Sequence, residues 1–285
     1  MELDNAKSGL SLWSRLSLVI LVTVAILSVF VVRTRLAFSG HPPRLFAIFN
    51  FLVILVSLGV LGLGARALRR SDWLIALVTG AWAGVAVSFT SFYPLLELPN
   101  PMLTCLAHGM ALAAIFLAGL IIMRKGGPVV LRCANGEWKR GLQSLGLGLT
   151  VGFPLALLNA LAFSLMQKQP VHWQNPLGAA FQALQPGIVE EVSYRFALLG
   201  FTWLILRRVW PERAVLISSA LSLLVHNYAH FDNLFRDNLP FALAYGAAVG
   251  LIWGLPMTIL AVRRDLESAI AFHWMQDFVR FVAGF

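Results

Sequence analysis

The sequence predicts an all-α, polytopic membrane protein, a helical bundle with about eight or nine transmembrane helices, and three observations carry that prediction. Hydrophobic residues make up 59% of the 285 positions and charged residues only 12%, too few to clothe a soluble domain of this size. The apolar residues gather into runs of about 20, the length that crosses a hydrocarbon core as a helix. The 22 lysines and arginines cluster at the ends of those runs, where they anchor helices and set topology. That placement accounts for the net charge of +9, so no nucleic-acid surface is implied.

In chain order the apolar stretches fall near 16–32, 45–65, 74–95, 101–123, 143–166, 188–206, 214–231, 240–262 and 267–285. The first is too long for a cleaved signal peptide and lacks a small-residue cleavage site, so it reads as a retained signal anchor. The longest polar interval, Arg124 to Gly141, carries Arg124, Lys125, Arg132, Lys139 and Arg140. It divides the chain into residues 1–140, the N-terminal helices with the basic loop, and residues 141–285, a second transmembrane unit. Cys105 sits in an apolar run and Cys133 in the basic loop, which argues against a disulfide framework and leaves no CxxC metal motif. Gly246, Gly250 and Gly254 form a small-residue stripe that suits close helix packing.

Loop charges give an orientation. Arg66/Arg69/Arg70, the 124–140 loop, Arg207/Arg208/Arg213 and Arg263/Arg264 alternate with poorly basic loops around Pro99, Lys168 and Asp232–Arg236, which assigns the basic set to the cytoplasm. The 33–44 segment, with Arg33, Arg35 and Arg44, runs against that alternation. The expected setting is the inner (cytoplasmic) membrane of a bacterium or archaeon, with the lipid bilayer as the chain's first partner.

Glu190 and Glu191 lie side by side inside the apolar run that ends at Arg207 and Arg208. A carboxylate in hydrocarbon costs several kcal/mol, so it is kept where it faces the bundle interior and finds a partner. Residues four apart share a helix face, which pairs Glu191 with Arg195, His226 with His230, and His273 with Asp277. Glu190 precedes Arg207 by 17 residues, His226 follows Arg213 by 13 and Asp277 follows Arg264 by 13. At about 1.5 Å per residue, all three lie roughly 20–25 Å from the basic face and can meet at one level. The Pro186-Gly187 pair is expected to start the carboxylate helix, placing both glutamates in its first turn, where the dipole favours ionised acids. Imidazole and carboxylate hold zinc or position a water, the usual nucleophile for amide hydrolysis.

Each group also has a bland reading. Glu191 and Arg195 make a buried helical ion pair, and a single interior histidine is more often satisfied than reactive. Agreement across three helices in a chain so poor in polar residues weakens that reading. His108, alone in an apolar run, and His172, in a loop, read as structural, and Tyr194 and Trp274 as packing.

The pattern Glu190-Glu191-x-x-x-Arg195, then Ser218-Ser219 with His226, then His273-x-x-x-Asp277, resembles the CPBP (CAAX protease and bacteriocin-processing, also called Abi or Rce1-like) intramembrane proteases over about residues 180–285. The resemblance implies an intramembrane endopeptidase that hydrolyses a peptide bond of a membrane-associated or exported protein or peptide, with residues 141–285 as its catalytic domain. Glu190 would be the base that activates water, Glu191 and Arg195 would order the site, and His226, His273 and Asp277 would position the water or a metal. Glutamic and metallo types both stay open. The cofactor is therefore unassigned, with a divalent metal such as zinc on Glu190, His226, His273 and Asp277 as the alternative. The chain departs from the pattern at Ser222, where phenylalanine is usual, and at Phe196, where glycine commonly follows the arginine and whose bulk would reshape the groove beside the site. A shifted register would make His230 the motif histidine; the Ser-Ser spacing and the depth estimate favour His226. A proton-coupled transporter and a non-catalytic scaffold derived from the protease fold are the competing functions. The polar residues lie in one half without an inverted repeat, which disfavours transport.

Overall fold

Apolar runs with satisfied internal hydrogen bonds can only be helices at membrane depth, and the described residues of this computed structural model, 11–37, 44–90 and 94–285, contain no strand. The helices are α1 (Leu12–Ala37), α2 (Leu45–Gly64), α3 (Arg70–Ala86), α4 (Pro101–Arg124) and α5 (Trp138–Gln167). They continue as α6 (Pro176–Glu190), α7 (Leu199–Val209), α8 (Ala214–Ala229), the short α9 (Asp232–Asp237), α10 (Leu239–Val249), α11 (Leu255–Arg263) and α12 (Leu266–Val282). Two π-helical segments, Glu191–Leu198 and Gly250–Gly254, join α6 to α7 and α10 to α11 without a break.

Among the described residues five helices are long and apolar enough to cross a membrane: Leu45–Ala67, Arg70–Phe89, Pro101–Arg124, Trp138–Gln167 and Leu239–Arg263. The start of α1 and all of α8 are shorter apolar helices. The α6 to α7 rod and α12 are elements whose polar side chains dilute their apolar character, and together with α8 they carry the candidate site. Residues 38–43 of the discordant 33–44 segment lie outside the described residues.

One expectation is corrected. The carboxylate helix does not begin at Pro186. It begins ten residues earlier at Pro176, where the Asn175 side chain accepts from the amides of Leu177 and Gly178. Proline at the first helical position and asparagine as cap are the stronger start signal. Pro186 is carried inside the helix, so the glutamates do not sit at a helix N-terminus and the dipole argument for their ionisation falls away.

The register of α12 is fixed from both sides. Gly148 and Gly152 of α5 let the helices touch: a Cβ on Gly148 would collide with the Ser268 carbonyl oxygen. At the basic end, Asp265 caps α12 by accepting from the Ser268 amide at 3.0 Å, and it binds Arg132 Nε at 2.7 Å. Glu267 accepts from the Cys133 amide at 2.8 Å. The 124–137 loop is thereby buckled onto α12, and burial beside the Glu267 carboxylate pushes the Cys133 thiol up to about 12. Elsewhere, Gly246 packs against the Tyr228 ring and Gly254 against Leu223, which draws α10 and the second π segment onto α8 as the glycine stripe implies.

Candidate active site

The first π segment shapes the site. A π turn is wider than an α turn and is found mostly at functional positions. Here it follows Pro186, which cannot donate to the carbonyl one turn earlier. Every residue from Glu191 to Ala197 is buried. Glu191 and Arg195 are wholly so, and the salt bridge between them, Nη1 to Oε1 at 3.0 Å, lies in the protein interior. Phe196 does not face the groove, contrary to expectation: its ring lies over Gly119 of α4, where any Cβ would collide with it, and packs on Phe116. Ser222, the other departure, donates its hydroxyl to the Tyr194 carbonyl, tying α8 to the π segment.

The three helices bring the singled-out residues together. Glu190 Oε2 is the hub. His226 Nε2 is 2.6 Å from it, and the Nε2 atoms of His230 and His273 are each 3.7 Å away. His273 Nδ1 sits 2.8 Å from Glu191 Oε1, and His273 Nε2 is 3.4 Å from Asp277 Oδ2. Asp277 is held in turn by Arg280, at 2.7 Å. Glu190, Arg195, His226, His230, His273 and Asp277 all line one cavity of about 1330 Å³, large enough for several residues of a peptide. Its walls include Asn159 and Phe163 of α5 and Tyr245 and Trp253 of the α10 rod. His230 is the most open of the three imidazoles, with 42% of its side chain exposed.

The partners fix the ring protons. Arginine can only donate, so the contact of Arg195 Nη1 with His226 Nδ1 makes that nitrogen an acceptor and leaves the ring proton of neutral His226 on Nε2, facing Glu190. His230 is oriented the opposite way, its Nδ1 donating to the His226 carbonyl at 2.9 Å. Glu190, His226 and His230 each offer a ligand atom within 4.8 Å of the others, a grouping that could hold a metal ion. It differs from the set named from sequence, taking His230 in place of His273 and Asp277.

Four contributors were missed. Tyr194 stacks on His226, with ring centroids 4.6 Å apart, and its hydroxyl donates to Asn50 Oδ1 on α2 at 3.0 Å. Phe46, also on α2, meets the His230 ring edge-on at 5.2 Å. Asn50 had a signal, as a lone amide in an apolar run. Arg280 had one too, since His273, Asp277 and Arg280 follow an i, i+4, i+7 stripe. By contrast, His108 is a structural tie: its Nδ1 accepts from the Leu95 amide at 2.9 Å, and its Nε2 faces the Gln185 side chain of α6. Trp274 stacks on Phe278 and donates to the Ala180 carbonyl.

Residues 172–279 match the family model described as type II CAAX prenyl endopeptidase Rce1-like. This segment is an Rce1-like domain. Comparison with curated proteins and with solved structures returns no match. The matched segment contains Glu190, Glu191, Arg195, all three imidazoles of the cluster and Asp277, so the similarity to the CAAX-type intramembrane proteases covers the residues that meet at the site. Asn50 and Phe46 lie outside it, as does Arg280 by one residue.

Proposed function

We propose that the chain is an intramembrane endopeptidase of the glutamic type, in which Glu190 activates a water that cleaves a peptide bond of a membrane-associated substrate. The observation that carries this reading is the hub geometry: one carboxylate oxygen facing three imidazoles in a cavity between apolar helices. Glu190 takes a proton from water, and the resulting hydroxide attacks the carbonyl carbon. His226 Nε2–H holds Oε2 of the carboxylate and leaves Oε1 for the water. His273, with carboxylates at both ring nitrogens, is a charged donor whose Nε2–H stabilises the oxyanion. Glu190 then returns its proton to the leaving amine as the C–N bond breaks. A positioned base contributes about 10²–10⁴-fold, and one oxyanion donor about 10²–10³-fold.

The ring protons favour this reading over a metal one. A histidine ligand normally donates its second N–H to a carboxylate or carbonyl. His226 does the reverse, since Arg195 occupies its Nδ1 lone pair and its Nε2 bears the proton. His230 and His273 have the orientation of a ligand, their Nδ1 atoms facing the His226 carbonyl and the Glu191 carboxylate, so a divalent ion would have to rest on them and Glu190 without His226. The grouping of Glu190, His226 and His230 therefore does not suit a zinc site. Residues 141–285 act as the catalytic unit in this account, with helices from 1–140 supporting it.

The test is cleavage in proteoliposomes of a fluorescence-quenched, farnesylated peptide ending in a CAAX sequence, beside the same peptide without the lipid. Cleavage at one bond, mapped by mass spectrometry, is expected. Intact peptides together with proton-driven solute uptake would replace the protease by a transporter.

A further inference from the structure

A helix from the N-terminal half, outside the matched segment, reaches the site. α2 touches it three times. The Leu45 amide donates to the Asp232 carboxylate at 3.0 and 3.1 Å, at the start of α9 just beyond His230. Phe46 packs on both Tyr194, at 5.9 Å between centroids, and His230. Asn50, wholly buried, accepts from the Tyr194 hydroxyl. Tyr194 is itself fully buried between α2 and His226, and its ring lies nearly parallel to the imidazole, at 27°.

We infer that Tyr194 and Asn50 are positioning residues for His226, Tyr194 as a plate against the imidazole face and Asn50 as the tether that fixes the plate. Four contacts define the ring of His226: Arg195 at Nδ1, Glu190 at Nε2, the Tyr194 face, and the His230 ring, which meets it edge-on at 5.0 Å between centroids. The two polar contacts fix its edges, and the stacked Tyr194 plate, the closest and most nearly parallel ring, resists rotation out of plane. An imidazole free to turn exchanges its two nitrogens and loses its hold on Glu190. A misplacement of about 1 Å costs on the order of 10²-fold in rate. Asn50 is buried with its Nδ2 unpartnered, at a cost of about 1–3 kcal/mol that calls for such a return. The inference rests on the assignment of Glu190 and His226 to the chemistry, and its test is chosen to fail separately.

Two paired variants keep the core intact. In Tyr194→Phe with Asn50→Leu the plate remains and both polar partners go, a nearly neutral exchange. In Tyr194→Leu with Asn50→Leu the plate goes as well. Histidine ring nitrogens are read by ¹⁵N NMR in detergent micelles, with His226→Gln to assign the signal. The wild type and the phenylalanine variant should both show a single Nε2–H tautomer for His226, and the leucine variant the averaged shifts of exchanging tautomers. Cleavage of the farnesylated peptide should fall several-fold in the first variant and about 10²-fold in the second. An unchanged His226 signal in the leucine variant overturns the positioning role, whatever the activity. Full activity of Glu190→Gln would instead remove the catalytic reading while leaving the spectral result standing.

Discussion

Arg195 bonds Glu191 through the same Nη1 that donates to His226 Nδ1, so one guanidinium nitrogen links the second carboxylate to the imidazole that holds the first. Removing it should do two things at once. Arg195→Gln breaks the buried pair and leaves Glu191 with His273 as its remaining partner, so the stability cost should stay below the ~3–5 kcal/mol of a buried charge left wholly unpaired. It also frees His226 to take the other tautomer. Thermal unfolding in detergent should show a lower midpoint, and cleavage per folded molecule should fall as well; a loss of stability alone would limit Arg195 to a structural part.

The two histidines of α8 should rank. His226 is 2.6 Å from Glu190 Oε2 and buried, whereas His230 is 3.7 Å away and partly exposed at the cavity wall. His226→Ala is expected to cost about 10²–10⁴-fold, and His230→Ala roughly tenfold or less. Steady-state rates on one peptide give the order directly. A reversed order would transfer the role to His230.

Chelation separates the glutamic from the metal reading. Because His226 Nδ1 accepts from Arg195, the grouping of Glu190, His226 and His230 does not present three free lone pairs. Dialysis against a strong zinc chelator should therefore leave cleavage unchanged, and purified protein should contain no stoichiometric metal by elemental analysis. Activity lost on dialysis and restored by zinc would refute the ring-proton assignment.

Cys133 reports the seam between the basic loop and α12. Its thiol is pushed up to about 12 by burial and by Glu267. The thiolate is the reactive form, so alkylation by iodoacetamide should stay slow from about pH 7 to pH 9 in the folded protein and become fast on unfolding. The sign for stability follows: a thiol whose folded value is raised favours the folded state less as pH climbs past its unfolded value. Glu267→Gln should speed alkylation.

How much of this was legible in the sequence divides along contact range. The helical bundle followed from apolar run lengths, and Glu191 with Arg195, His226 with His230, and His273 with Asp277 followed from four-residue spacing. Counting residues from the basic ends pointed to Glu190, His226 and Asp277 meeting, and the three line one cavity. Local signals failed where two competed. Pro186-Gly187 looked like a helix start, but Asn175-Pro176 supplies the cap and first turn, and Pro186 is absorbed into a helix that relaxes into a π segment. Contacts across long separations left no periodic trace: Tyr194 with Asn50 spans 144 residues, and Asp232 with Leu45 spans 187. Phe196 misled for a related reason, since its recess over Gly119 exists only once α4 is packed.

The central claim is that Glu190 acts as the base. Glu190→Gln keeps the side chain's size and a hydrogen-bond acceptor toward His226 Nε2–H while removing the ability to take a proton. Its initial rate on the farnesylated CAAX peptide, measured in proteoliposomes beside the wild type and normalised to folded protein, should fall by about 10²-fold or more, with an unchanged unfolding midpoint. Wild-type cleavage by the folded glutamine variant would contradict the account.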